Sequence, residues 1–213
     1  MKDIKRYSPV QFKQTPLETE NRDNWDIVLK YHGEGEGAFL VDLSHRMRLD
    51  LQSSDLKSKK PFGIDVPDVP CSSVLENGFL VNRMNGIQTS IYHLSGDTVD
   101  VPAETEYTDV TENTVFVAII GSDAFRICEK LSNLDFTDPE KQVPFLYQGS
   151  FSHVPCQIVT ICRDGEKSGL VLTCSRGYGR DMIHAILHAG EEFGLKPAGE
   201  IRFTDWIGSL GTK

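Results

Sequence analysis

The chain has no apolar run approaching the roughly 20 residues that cross a bilayer, and its opening, MKDIKRYSPVQF, lacks the apolar centre of a secretion signal. The first absence argues against a helical membrane span, and the second makes the cytoplasm the expected compartment. Basic residues are in deficit, since 22 Lys and Arg against 31 Asp and Glu leave a net charge of −9. A surface of that sign repels polyanions on average, which sets nucleic acid aside as a partner. There is no CxxC pair. Cys71, Cys128, Cys156, Cys162 and Cys174 form an odd, scattered set, several of them inside apolar patterns, and read as small buried hydrophobes rather than metal ligands or a disulfide frame. The glycines of Gly33-Glu34-Gly35-Glu36-Gly37 lack a following Lys, carry two carboxylates and lead into a strand pattern, so they do not make a phosphate loop.

What is present is the material of a globular core. With 213 residues, 39% hydrophobic and 25% charged, the chain can fold as one large or two small domains without metal or disulfide support. The second half is built on Gly169 to Gly199: an apolar strand from Leu170 to Cys174, a glycine-rich turn Ser175-Arg176-Gly177-Tyr178-Gly179, then a helix with Ile183, Ile186, Leu187 and Phe193 on one face, ended by Gly194 and Pro197. Thr114 to Ile120 repeats the grammar as a strand, followed by Ser122 as a cap and a helix carrying Ala124, Ile127, Cys128 and Leu131. In the first half, Trp25 to Tyr31 alternates as a strand, and Ala38 to Leu51 reads as a bent strand with one wet face. Asn85-Gly86 sits between two strand patterns and predicts a type I′ hairpin, because both central residues of that turn need positive φ.

These patterns divide the chain into a polar arm over 1–24, a first α/β unit over 25–110 and a second over 111–213. The acidic stretch that contains Asp97, Asp100, Glu104, Glu106, Asp109 and Glu112 marks the boundary between the units. Cys156 to Cys162 is a further strand, Phe136 to Ser152 an aromatic loop, and Ile201 to Leu210 an aromatic tail. Strands joined by hairpins as well as helices predict an α+β class with largely antiparallel sheets.

Chemistry is less legible. Asp42, Ser44 and His45 cluster at the strand bend, but neighbours so close on one strand cannot point at one another as a proton relay must. His184 and His188 stand four apart on a helix, the spacing of a metal pair, yet Ala185 takes the place of a zincin glutamate and no third ligand is adjacent, so no metal is assigned. Phe145, Tyr147, Phe151 and Trp206 are the aromatic candidates for a protein interface.

A family resemblance covers most of the chain in order. Phe39-Leu40-Val41-Asp42-Leu43-Ser44-His45, Asn85-Gly86-Ile87 to Leu94, Ile120-Gly121-Ser122-Asp123-Ala124, and Ala189 to Gly199 resemble successive segments of the glycine-cleavage T-protein family, the folate-dependent aminomethyltransferases. That resemblance implies the aminomethyltransferase folate-binding fold. As an enzyme, the chain would use Asp42 and Asp97, with Asp181 a further carboxylate, to steer a cationic amine, and Tyr178, Arg180 and Asp181 to meet tetrahydrofolate. Two departures stand out: the strand expected to hold a catalytic aspartate reads Gln88-Thr89-Ser90, and the chain is too short for the family's further barrel domain. Residues 121–194 resemble instead the gamma subunit of heterotetrameric sarcosine oxidases. That likeness implies a non-catalytic subunit of an amine-demethylating oxidase, holding no cofactor of its own and packed against flavoprotein alpha and beta subunits.

Overall fold

The computed structural model describes residues 4–96 and 99–211. In chain order the strands of the first half are β1 (Pro16–Arg22), β2 (Trp25–Tyr31), β3 (Phe39–Asp42), β4 (Arg48–Gln52), β5 (Ser73–Glu76), β6 (Phe79–Arg83), β7 (Gln88–His93) and β8 (Tyr107–Asp109). The second half holds β9 (Thr114–Ile120), α1 (Ala124–Glu129), β10 (Phe145–Phe151), β11 (Val154–Cys162), β12 (Gly169–Ser175), α2 (Gly179–Gly190), β13 (Lys196–Ala198) and α3 (Glu200–Ser209). They form a six-stranded sheet in the order β10-β11-β12-β9-β3-β13, a five-stranded sheet β5-β6-β7-β4-β8, and the two-stranded ribbon β1-β2. Every pairing is antiparallel except β13 with β3. The class is α+β, with antiparallel sheets dominating.

The central strand explains the layering. In β9, Val115, Val117 and Ile119 face a core shared with α1 and α2, while Phe116, Ala118 and Ile120 face a second core shared with Leu80, Tyr92 and Leu94 of the other sheet and with α3. A strand buried on both sides reads as an unbroken apolar run, as TVFVAII does. The outer face of the five-stranded sheet is closed by Leu56, Ile64 and Val66 from residues 53–72, packed on Leu49, Leu51, Val81 and Ile91. β3, although it precedes residue 110, lies in the six-stranded sheet between β9 and β13.

Several local expectations change. β6 and β7 form the predicted hairpin, but neither Asn85 nor Gly86 is at positive φ; they sit in a longer loop in which Asn85 Oδ1 accepts the Ile87 N–H at 2.9 Å. A loop of that length can be built from right-handed residues. Among the described residues, the two-residue hairpin turns with both residues at positive φ are Asn77-Gly78, Asp23-Asn24 and Ser152-His153. The expected aromatic loop over 136–152 ends as a strand, β10, whose polar Gln148, Gly149 and Ser150 break the apolar alternation. The aromatic tail is the helix α3, with Phe203, Trp206 and Ile207 buried on one stripe. Within the expected arm, 16–22 is paired as β1, and the segment before it lies against the body of the protein with Val10 in the core.

Candidate functional site

The passage from β3 to β4 carries the chain from one sheet to the other, and the residues of that passage define the site. Leu43 N–H donates to Phe116 O at 2.8 Å, Arg46 N–H closes a turn on Leu43 O at 2.8 Å, and Ser44 N–H is capped by Asp42 Oδ1 at 2.9 Å. Ser44 Oγ faces the β9 backbone at Phe116 instead of a neighbouring side chain. The turn is held from below by Arg48, 1% exposed, whose guanidinium donates to the carbonyls of Leu43, Ser44, Arg46, Thr111 and Thr114 and lies 5.0 Å above the Phe116 ring. Burial pulls its pKa down to about 10, so the guanidinium stays charged at neutral pH and neutralises carbonyl dipoles in place of a carboxylate. The expected wet face of β4 is therefore wet only at its far end, around Gln52.

His45 points the other way, into a cleft of about 270 Å³ walled by Arg22, Trp25, Ile27, Arg46, Met47 and His93. A smaller hollow of about 90 Å³, lined by Ser8, Tyr31 and Asp42, shares Trp25, Ile27 and His45 with it. The imidazole Nε2 lies 2.7 Å from Glu200 Oε1, the first residue of α3. Arg46 reaches the same carboxylate at 2.8 Å and Arg22 at 3.1 Å. Burial alone would raise the Glu200 pKa, but the His45 hydrogen bond, the charges of Arg46 and His45 and the Arg22 hydrogen bond outweigh it and hold the carboxyl down to about 2. Glu34 completes this corner: its Oε1 accepts from Tyr31 N–H at 2.7 Å and Gly199 N–H at 2.8 Å, which explains a carboxylate between the glycines of 33–37. Gly199 is required there, because a Cβ would stand 2.1 Å from Leu29 O.

The acids around the cleft are occupied by the chain itself. Asp42 Oδ2 takes the Ser8 hydroxyl at 2.5 Å, Asp109 Oδ1 caps Thr111 N–H at 2.8 Å, and Glu112 pairs with Arg6 at 3.0 Å. Residues 6–10 run along this corner as a strap, with Arg6 lining the larger cleft and Ser8 and Val10 the smaller hollow. Arg6 bridges Asp23 and Glu112, Arg176 donates to Tyr7 O, and Pro9 O lies so close to Gly179 that a Cβ there would be 2.5 Å away. A carboxylate–imidazole pair at a cleft edge can hold or pass a proton and can bind a polar ligand. What it lacks here is a carboxylate left over for a cationic amine among the described residues named above.

The sequence-predicted residues are dispersed. Tyr178, Arg180 and Asp181 stand exposed at the start of α2, outside the cleft, and the strap lies between them and Asp42. Asp97 lies outside the described residues. Of the aromatic interface candidates, Phe151 and Trp206 are 0% and 6% exposed and packed into the two cores, Phe145 is 4% exposed and lies against the Tyr147 ring beneath Lys141 and Arg163, and Tyr147 is half-buried. The Phe151 and Trp206 rings fill spaces between sheet and helices, and Trp206 Nε1 donates to Lys167 O at 2.8 Å. His184 and His188 are exposed with parallel rings 6.3 Å apart, and among the described residues no group of three metal-ligating side chains gathers around them. Glu200, Arg22 and Arg48 were not singled out by sequence. The available signal for Glu200 was a carboxylate in the first turn after Gly199, which reads as an ordinary helix-dipole partner.

The sequence matches no protein-family model and no curated protein. Solved structures do match. A chain of the heterotetrameric sarcosine oxidase from Corynebacterium sp. U-96, in complex with pyrrole 2-carboxylate, superposes with a TM-score of 0.59 at 16% identity, over 73% of this chain and 85% of that one. The glycine cleavage system aminomethyltransferase T from Bartonella henselae superposes with a TM-score of 0.62 at 14% identity, over 87% of this chain and 56% of that one. The chain has the aminomethyltransferase fold. It spans little more than half the length of that T-protein, and at these identities the likeness carries the fold alone. No helix among the described residues is long and apolar enough to cross a membrane.

Proposed function

We propose that this chain is a non-catalytic, gamma-type subunit of a heterotetrameric, sarcosine oxidase-like amine-demethylating oxidoreductase. It works in the cytoplasm against flavoprotein alpha and beta subunits and carries no cofactor itself. The observation that supports this most directly is the strap: Ser8 caps Asp42, Pro9 seats on Gly179, and the chain's own residues stand between the carboxylate and the turn that a pterin would have to bridge. With Phe145, Phe151 and Trp206 buried, the surface left for a partner near the strap includes Tyr7 and Tyr178, 64% and 45% exposed.

The second reading is a stand-alone, tetrahydrofolate-dependent aminomethyltransferase. What favours it is the T-protein likeness over 87% of this chain, with Asp42 and Asp97 as the acids and Tyr178, Arg180 and Asp181 at the folate. Calorimetric titration of the full chain with tetrahydrofolate separates the two. The subunit reading expects no heat of binding, and saturable micromolar binding at one site per chain supports the enzyme.

A further inference from the structure

β11 and β12 pair in a register that sets Cys156 directly opposite Cys174. Residues directly opposed in an antiparallel pair have Cα atoms about 4.5 or about 5.5 Å apart, depending on the hydrogen-bonding type, and both separations fall inside the window of about 4.4–6.8 Å that a disulfide spans. The two side chains share one face of the sheet, in the core against α1 and α2, and are 6% and 4% exposed. They are not sealed off. Both line an open cleft of about 670 Å³ at the sheet end, with Asn113, Gln148, His153 and Ser175, wide enough to admit a small oxidant. The other three cysteines lie elsewhere in the fold: Cys128 on α1, Cys71 before β5 and Cys162 at the far end of β11.

We infer that Cys156 and Cys174 are a modification site, a cross-strand dithiol that a peroxide converts reversibly to an intrachain disulfide. The Cys174 thiolate attacks one peroxide oxygen, the O–O bond breaks, and hydroxide leaves to give a sulfenic acid. Cys156 then attacks that sulfur; the S–S bond forms, the S–O bond breaks, and the departing hydroxide takes the Cys156 proton as water. Two thiols lose two electrons and two protons while one peroxide becomes two waters. Cys174 is the first nucleophile: the neighbouring Cys156 thiol pulls its pKa down, while that of Cys156, whose Sγ donates to Val154 O at 3.3 Å, is pushed up. Burial pushes the Cys128 thiol up, and it stays inert. Cross-strand Cβ atoms stand somewhat farther apart than a relaxed disulfide prefers, so the bond is strained and a dithiol reductant reopens it.

The test treats the full-length chain with hydrogen peroxide, alkylates it under denaturing conditions and maps the peptides by mass spectrometry. The expected result is a chain lighter by two hydrogens with three of its five thiols alkylated. A single Cys156–Cys174 linked peptide should appear and vanish with dithiothreitol. In Cys156→Ser the link is absent and Cys174 is labelled by dimedone. Five alkylated thiols after peroxide would overturn the inference, as would a link through Cys71, Cys128 or Cys162, or conversion of either thiol to an irreversible sulfinate. The wild-type map decides the matter even if Cys156→Ser does not fold.

Discussion

His45 and Glu200 are 155 positions apart in sequence and 2.7 Å apart in space. Their contact ties the crossover between the two sheets to the first turn of the last helix, and Arg22 and Arg46 bring β2's partner strand and the crossover onto the same carboxylate. A buried carboxylate holding three cationic or imidazole groups is costly to desolvate and still costlier to neutralise, since the partners remain buried when it goes.

Glu200→Gln is expected to lower stability by about 3 kcal/mol near neutral pH, measured by urea unfolding. The pH dependence has a definite sign. The folded-state pKa, about 2, lies below the ordinary 4.5, so the contribution is complete above about pH 4.5 and is lost as pH falls through about 2. The gap between wild type and variant should narrow as pH falls from about 4.5 to about 2; a constant gap would show that the charge of Glu200 is not what stabilises the corner.

Arg48→Lys tests the staple beneath the crossover. A lysine has three donors and no planar fork, so most of the carbonyls of Leu43, Ser44, Arg46, Thr111 and Thr114 lose a partner inside the core. The expected loss is at least about 3 kcal/mol by denaturant titration, in spite of the retained charge. A loss below about 1 kcal/mol would mean that water replaces the guanidinium.

Gly179→Ala tests the strap. Its Cβ would meet the Pro9 carbonyl at 2.5 Å, a backbone atom with little room to give. The segment should be displaced at a cost of about 1–3 kcal/mol and be cut faster by trypsin at Lys5, Arg6 and Lys13. Unchanged cleavage would place the strap's attachment in Val10 and Arg6 instead.

Asn77→Ala and Asn85→Ala should differ although both precede glycine. Asn77 sits at φ 50° in a two-residue turn, where alanine pays the left-handed penalty of about 1 kcal/mol that asparagine largely avoids. Asn85 has no positive φ to maintain and loses its capping bond to Ile87 and an exposed bond to Gln88 Oε1 at 3.3 Å, so the smaller effect belongs there. Thermal unfolding of the two variants gives the order.

The same contrast shows how far the sequence could be read. Period-two and period-3.6 patterns located β2, β9, β12 and α2, because each buries one or both faces continuously and the pattern is a direct image of that burial. Turn geometry was harder, since two Asn-Gly pairs carry the same residues and only strand register decides which becomes the tight turn. β10 was hidden by Gln148, Gly149 and Ser150, whose polarity is tolerated at the sheet's edge. The site was least legible. Asp42, Ser44 and His45 make no side-chain relay, the one contact among them being Asp42 Oδ1 on the Ser44 backbone N–H. Their real partners, Ser8, Phe116 and Glu200, lie 34, 72 and 155 positions away, beyond any local spacing rule. Arg48 lies among alternating apolar residues that imply an outward side chain, and only the fold shows it turned into the crossover.

The most direct measurement is purification of the full-length chain, tagged at its C-terminus, from its own cells, followed by visible absorbance and native mass spectrometry. A non-catalytic subunit should elute in a stoichiometric complex with two larger flavin-absorbing chains that demethylate a methylated amine. The account is contradicted if the chain elutes alone, free of flavin, and by itself turns over a methylated amine when tetrahydrofolate is supplied.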